Sequence, residues 1–376
     1  MPTTTHTRDT ALRPCAWCGA DVGGAHASWR THRNETICER CYLDNAITCI
    51  TCERIEHIDD ATQCGNCDHY LCDSCYCACD EDDYTPTRVA DETTTRYIGA
   101  QRGKILQSLR PFGVEIEAVA PDRDAIRAIY DALPSGVGMS RDGSLPHRGI
   151  EIQTPRLAGL IGENVIKNIA RLLNDEGCAV TRACGLHVHL DTADFTPKNY
   201  EAIKRLWLLY IVFEDVFISF LPMSRRANSF CRLIRDAYHV QEILDAASKQ
   251  ELERIWYRVA DDTEIRKQKR GKWHHTRYTG LNLHSMFAQR HAEIRYHAGT
   301  TNDTKILEWA NLHALTFDSA QKGGTPNAIL DARYQTDIKK KTRALFAMVG
   351  LSKSSQTYFL GRQKLFGNAA APEAAN

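Results

Sequence analysis

From Leu109 onward the chain alternates between two hydrophobic periods. Four short stretches, Glu115-Ile116-Glu117, Glu151-Ile152-Gln153, His187-Val188-His189 and Glu293-Ile294-Arg295, set functional polar groups at i and i+2 around an aliphatic residue. Side chains two apart on a strand share a face, so each triplet predicts a strand with one chemically loaded face and one aliphatic face, the latter extended by Val114, Ala118, Ile150, Leu186 and Leu190. Between and after them, residues 124–133, 163–176, 198–221 and 304–320 repeat at helical spacing, with Pro197 suited to the first turn of the third. The predicted order is strand, helix, strand, helix, strand, long helix, strand, helix. Half-polar alternation marks antiparallel strands, whereas doubly covered parallel strands read as continuous apolar runs. The expected fold class is α+β, a curved antiparallel sheet backed by helices, preceded by a small Cys-rich module.

The longest apolar run, 206–221, is interrupted by Glu214 and Asp215 and is short for a bilayer span, so it predicts a buried helix. The opening segment is Thr-rich and polar, without a signal-peptide core, and a cytoplasmic protein with no membrane contact is expected. At 376 residues two or three domains are expected, and a net charge of +0 from 47 basic and 47 acidic residues favours neither nucleic acid nor membrane. The expected divisions are a Cys-rich module at 1–80, an acidic and Thr-rich linker at 81–105, a catalytic domain at 106–321 and an extension at 322–376. Beyond 322 the periodicity weakens: Gly323-Gly324-Thr325-Pro326 is a break, Lys339-Lys340-Lys341 a solvated run, and 369–376 a disordered tail.

Cysteine changes the picture most. Twelve of the 15 cysteines precede residue 80, mostly as Cys-x2-Cys pairs, which is zinc-ligand spacing. Cys15-x2-Cys18 and Cys38-x2-Cys41 are separated by nineteen residues, and Cys49-x2-Cys52 and Cys72-x2-Cys75 repeat that separation. Each repeat supplies four thiolates for one structural Zn²⁺. Cys64, Cys67, Cys77 and Cys79 suffice for a third ion, and His26, His32, His57 or His69 could replace a cysteine. The arrangement resembles zinc-ribbon, treble-clef and RING-like modules. Through Cys79 there are six Arg and no Lys against eleven Asp or Glu, which suits a protein partner better than a phosphate backbone.

The loaded strand faces hold Glu, His, one Gln and one Arg, and no Lys. A merely solvated face draws on Thr, Lys, Ser and Gln; carboxylates with imidazole are instead the oxygen and nitrogen donors of a divalent cation site. The triplets also sit in wider motifs, in this order: Phe112-Gly113-Val114-Glu115-Ile116-Glu117; Arg141-Asp142-Gly143-Ser144 with Gly149-Ile150-Glu151; Cys184-Gly185-Leu186-His187-Val188-His189-Leu190-Asp191; and Leu281-Asn282-Leu283 with Glu293-Ile294-Arg295-Tyr296 and Gly299-Thr300. Over about 110–315 the chain resembles the amidoligase family of carboxylate-amine ligases, in the glutamine synthetase and glutamate-cysteine ligase superfamily.

That resemblance implies a glutamine synthetase-like catalytic domain that phosphorylates a carboxylate from ATP and lets an amine attack the acyl phosphate, with Mg²⁺ or Mn²⁺. It places Glu115, His187 and Glu293 on the cation nearest the γ-phosphate and Glu117 and Glu151 on a second. His189, Asn282 and Arg295 fall beside the nucleotide. Arg295 and Arg277 are the candidates for phosphate or carboxylate contact. Asp142 is either a turn residue or an orienter of substrate. The basic stretch 266–272 is either a flap over phosphates or a solvated loop, and Cys184 is a small packing residue. A single Glu151 where glutamine synthetases have two separated glutamates, and the lack of an ammonia-site loop, point to an amine acceptor larger than ammonia, peptide or protein included. The competing expectations are a zinc-dependent amidohydrolase-type hydrolase and a non-catalytic zinc-finger adaptor.

Overall fold

The computed structural model describes residues 13–22, 28–31, 33–50, 52–64, 69–72, 75, 85–222, 225, 231–271, 274–323 and 326–366. Contacts divide the chain into two compact units, the first ending at Tyr84 and the second starting at Thr85.

In the first unit the sequence repeat is also a backbone repeat. The Cys15 amide donates to the Ala20 carbonyl (2.7 Å) and Gly19 donates back to Cys15 (2.8 Å); Cys49 donates to Arg54 (2.8 Å) and Glu53 back to Cys49 (2.9 Å). Both turns need a left-handed residue after the second cysteine, supplied by Gly19 (φ 73°) and by Glu53 (φ 59°). The closing half of the first repeat runs from strand Thr36–Cys38 into helix Glu39–Asn45, with Cys38 as its N-cap. That of the second runs from strand Tyr70–Leu71 into Cys72. The buried cores are small: Cys15, Val22, Ile37 and Cys41 in one, Cys49, Leu71 and Cys72 in the other. Cores of this size need a metal to hold them.

The second unit is built on one sheet. Its strands are β1 (Phe112–Val119), β2 (Gly138–Arg141), β3 (Gly149–Gln153), β4 (Gly185–Asp191), β5 (Leu281–Asn282) and β6 (His291–Ala298), in the spatial order β2-β3-β1-β4-β6-β5. Every neighbouring pair is antiparallel. Helices α1 (Arg123–Ala132), α2 (Gly159–Asp175), α3 (Tyr200–Ser219), α4 (Asp303–Lys322), α5 (Ile338–Val349) and α6 (Lys353–Phe366) accompany it. Val114, Ile116, Ala118, Ile152, Leu186, Val188 and Ile294 are buried in a single core with Ile166 and Ile169 of α2, the apolar residues of α3 and those of α4. Pro197 lies in a one-turn 3₁₀ segment (Pro197–Asn199) that leads into α3. No described helix is long and apolar enough to cross a membrane.

Three expectations need correction. The stretch expected as a linker is anchored from residue 85 onward, its earlier residues 81–84 lying outside the described ones: Arg88 exchanges backbone hydrogen bonds with Met139 (2.8 and 2.7 Å), and the Tyr97 hydroxyl donates to Ser135 (2.8 Å). Backbone bonding holds it there, which its polar composition does not reveal. Residues 266–270 of the basic stretch are helical, in a helix Asp262–Arg270 capped by Asp261, with Lys269 paired to Glu253 at 2.7 Å, while Lys272 lies outside the described residues. The run Lys339-Lys340-Lys341 is split by the helix that contains it. Lys341 is buried, 2.8 Å from Asp215, while Lys339 and Lys340 stay exposed.

The two acids inside the apolar run prove structural. Asp215 receives Lys341, and Glu214, fully buried, accepts from the Ile234 amide (2.7 Å), the Arg235 amide (3.0 Å) and the Tyr296 hydroxyl (2.6 Å). Burial pushes its carboxyl up to about 7 against those three donors. Glu214→Ala leaves them unanswered, and a loss of about 3 kcal/mol in urea-unfolding stability is expected. A loss below a tenth of that would mean water replaces the carboxylate.

Candidate functional site

Cross-strand register turns the four triplets into one continuous surface. Glu151 lies opposite Glu117, Gln153 opposite Glu115, Glu115 opposite His187, His189 opposite Glu293, and Glu293 opposite Asn282. Because strands have a two-residue period, the same pairing that sets Ile116, Ile152, Val188 and Ile294 in the core brings these groups together; a slip of one residue would turn the carboxylates toward the apolar core instead. β6 carries a bulge, with Val188 opposite Ile294 but Leu186 opposite His297. The extra residue sends both Tyr296, bonded to Glu214, and His297, packed on Trp309, toward the helices, while Arg295 bonds Glu293 on the loaded face.

Two groups of ligand atoms form on that face, each within 4.8 Å: Glu115, His189 and Glu293, and Glu117, Asp142 and Glu151. His187 stands between them. Its Nδ1 is 2.8 Å from Glu115 Oε2 and 3.6 Å from Glu293 Oε1, and its Nε2 is 3.8 Å from Glu117 Oε1. His189 Nε2 is 3.1 Å from Glu115 Oε1, so the histidine expected beside the nucleotide joins the first carboxylate group along with the one expected beside the cation. Asp142 has the geometry of a turn residue, its Oδ1 accepting from the Ser144 amide (2.7 Å), and its carboxylate also joins the second group, a place not expected for it.

The charges show what the face lacks. Burial, reinforced by Glu115 and by Asp142 and Glu117, pushes the Glu151 carboxyl up to about 8, and burial raises Glu117 against the pull of His187. Burial would raise Glu115 as well, but His189 and His187 hold it well below the usual carboxylate range. His189 is the counterpart: burial disfavours its charge, yet Glu115 lifts it to about 9. Glu151, lifted to about 8 by burial among other carboxylates, is a group that a cation would relieve, and hard oxygen donors with imidazole suit Mg²⁺ or Mn²⁺.

Around the groups the fold places donors. Asn282 Nδ2 donates to Glu293 Oε2 (2.7 Å), and the Gly185 amide to Glu117 Oε2 (2.6 Å). A Cβ at Gly185 would come within 3.1 Å of His187 Nε2, so the glycine keeps the junction between the groups open. Arg295 is buried with Nε lacking a hydrogen-bond partner, one donor left for an anion. Sequence reasoning missed Arg225, which is buried, holds the Arg295 carbonyl through Nη2 (3.2 Å) and whose Nη2 would lie 3.5 Å from a Cβ on Gly185. It stands outside any two-residue pattern, and nothing in the sequence marks it. Arg277 instead lies over the Tyr278 ring, 5.6 Å from its centroid, where its charge acts on His284. Cys184 is buried and accepts from the Thr181 amide (3.4 Å), as a packing residue would.

Residues 130–316 match the family described as "Putative amidoligase enzyme". Over these residues the chain is similar to the amidoligase family. The amidoligase match starts after β1, so Glu115 and Glu117 precede it and enter the site through strand pairing. A solved structure described as "Crystal structure of novel glutamine synthase homolog" aligns with 69% of this chain and 68% of its own at 10% identity, with a TM-score of 0.31. No curated protein matches.

In the first unit, Cys15, Cys18, Cys38 and Cys41 converge, as do Cys49, Cys52, Cys72 and Cys75. Cys18 and Cys38 sulfurs are 3.6 Å apart and Cys52 and Cys72 3.7 Å. Tetrahedral Zn–S bonds of about 2.3 Å set sulfurs about 3.8 Å apart, so both tetrads fit zinc. Burial would raise the Cys15 thiol, but backbone amides of Cys38, Cys18 and Trp17 hold it down to about 6, whereas the Cys72 and Cys52 sulfurs push Cys75 up to about 12. Four thiolates cannot share such a space without a cation. Cys64 packs against the second tetrad; Cys67, Cys77 and Cys79, like His26 and His32, lie outside the described residues. His57 packs edge-on against Trp17 and stands outside both tetrads, as does buried His69.

Proposed function

We propose that the chain is an ATP-dependent carboxylate-amine ligase working through an acyl phosphate, and that its cysteine module, held by structural zinc, brings the acceptor to it. The observation that carries this is the adjacency of two carboxylate groups on one sheet face, joined by His187 and flanked by Arg295. Glu115, His189 and Glu293, with His187 in reach, would hold one Mg²⁺ or Mn²⁺, and Glu117, Asp142 and Glu151 another. Bound there, the ions would supply positive charge to offset that of the group in transfer.

The chain's own residues then have definite tasks. Asn282 and Arg295 fix the Glu293 carboxylate, and the Gly185 amide fixes Glu117, so ligand oxygens are preorganised before nucleotide arrives. Arg295 Nε and the Arg225 guanidinium supply donors for the transferring phosphoryl group or the substrate carboxylate. A carboxylate oxygen attacks the γ-phosphorus as ADP leaves; the amine nitrogen then attacks the acyl carbon as phosphate leaves. The acceptor is an amine larger than ammonia, on a peptide or protein.

Product analysis tests this. With Mg²⁺, ATP, a carboxylate and a model amine, ADP and phosphate are expected in equal amounts to amide. Amide cleavage with ATP intact would establish a hydrolase instead, and binding without either reaction an adaptor.

A further inference from the structure

Tyr296 has no part in the proposed chemistry, yet it directly follows Arg295. At the bulge it points toward the helices, 2% exposed, its ring stacked on Phe217 with centroids 6.5 Å apart and planes 29° apart. Phenylalanine would meet that packing. The hydroxyl instead donates to Glu214 Oε1 at 2.6 Å, and the same oxygen accepts from the Ile234 amide at 2.7 Å. Setting a carboxylate in the apolar body of α3 costs desolvation, and a buried pair with its bonds made fixes one arrangement of the groups it joins.

That arrangement reaches the arginines. The Arg225 guanidinium donates to two successive carbonyls of the bulge, to Arg295 through Nη2 at 3.2 Å and to Tyr296 through Nε at 3.5 Å. The Arg295 amide donates to the Gly280 carbonyl at 2.9 Å, and Gly280 lies so close under the Tyr296 ring that a Cβ there would overlap it. β6 is thus gripped at Gly280 through backbone and ring, and at Glu214 through the hydroxyl. Glu214 Oε2 also accepts from the Arg235 amide at 3.0 Å, so one carboxylate ties the segment that follows Arg225 to the strand on which Arg225 is seated. Both guanidiniums are buried, and burial together with the Arg295 charge pulls Arg225 below the usual arginine range despite Cys231 and Glu117. Like charges side by side repel, so their placing depends on the backbone that seats them.

We infer that Tyr296, through its bond to Glu214, is a positioning residue for the arginine pair: its hydroxyl holds the bulge at which two carbonyls seat Arg225 beside Arg295. The inference rests on the reading of that pair as donors to the transferring phosphoryl group or the substrate carboxylate, and it is tested by anion binding without turnover.

The experiment titrates the zinc-loaded full chain, in Mg²⁺ and without nucleotide, with inorganic phosphate in a calorimeter. Arg225→Ala is expected to weaken binding. Tyr296→Phe keeps the ring and loses only the bond to Glu214, and a weakening of about tenfold is expected. Added to Arg225→Ala it should cost less than about twofold more, because the residue it positions is already gone. Where Arg225→Ala leaves no binding to measure or does not fold, Arg225→Lys, which keeps the charge without the fork, serves as the background. Tyr210→Phe is the control: this buried tyrosine touches the same Phe217, but its hydroxyl bonds His313 at 2.6 Å instead of Glu214. It loses a buried bond of the same kind and should leave phosphate affinity within about twofold. Equal effects of the two tyrosine variants, or losses from Tyr296→Phe and the Arg225 variant that add in full, would make Tyr296 merely structural and overturn the inference while the arginine pair stands as an anion site. Phosphate affinity unchanged by Arg225→Ala, or no binding by the unaltered chain at about 10 mM, overturns both.

Discussion

Glu117→Gln and Glu293→Ala should each lower ATP turnover by about 100-fold or more while leaving a folded chain. Glu293 sits in the group with Glu115 and His189, and its carboxylate is the one that Asn282 and Arg295 grip. Removing it takes away a ligand oxygen and releases the arginine that faces the transferring group. Glu117→Gln keeps shape and volume but replaces charge with an amide, and it brings either an amide oxygen or an unwanted N–H up to the Gly185 amide that now donates at 2.6 Å. Neither change should unfold the sheet, whose packing lies on the opposite face in Ile116 and Ile294. Burial already raises Glu117, so neutralising it relieves a desolvation cost. Steady-state ADP formation with circular dichroism is the measurement. Partial rescue by high Mg²⁺ agrees with a weakened ligand set; unchanged turnover in both variants at ordinary Mg²⁺ would put the cation site elsewhere.

The strands and long helices were legible because periodicity and burial coincide there. Each triplet around Ile116, Ile152, Val188 or Ile294 announces both its face and its strand, and register then follows from the apolar residues. What the sequence hid is held by backbone or by distant partners. Arg88 adds to β2 through its peptide groups, Lys341 leaves its neighbours for Asp215, and α5 and α6 continue the helical layer past the break at Gly323, where periodicity had faded. In the site, the four triplets named most of the groups, but not their company. His189 meets Glu293 through strand register, but Asp142 closes the second group from just past the end of β2 and Arg225 lies beside Gly185 from a segment far along the chain. Spacing alone carries no information about either.

Zinc removal should separate the two units. Structural zinc sites contribute about 10–16 kcal/mol to folding at neutral pH, and cores as small as Cys15, Val22, Ile37 and Cys41 supply little beside that. A strong chelator, or Cys18→Ser together with Cys52→Ser, is therefore expected to unfold the first unit. The untreated chain should carry at least two zinc ions, with a third only if Cys64, Cys67, Cys77 and Cys79 assemble. The second unit holds both carboxylate groups and its own core, so a fragment starting at Thr85 should retain ADP formation with a model amine and, under the proposed recruiting role of the tethered module, lose efficiency only toward a macromolecular acceptor. The cut belongs at 85, because a fragment starting at 104 would lose Arg88 from the edge of β2 and Tyr97 from Ser135 and should melt earlier. Metal analysis showing less than one zinc per chain would remove the basis for this division. So would a folded fragment from Thr85 that forms no ADP with the model amine, since the cysteine module would then take part in the chemistry itself.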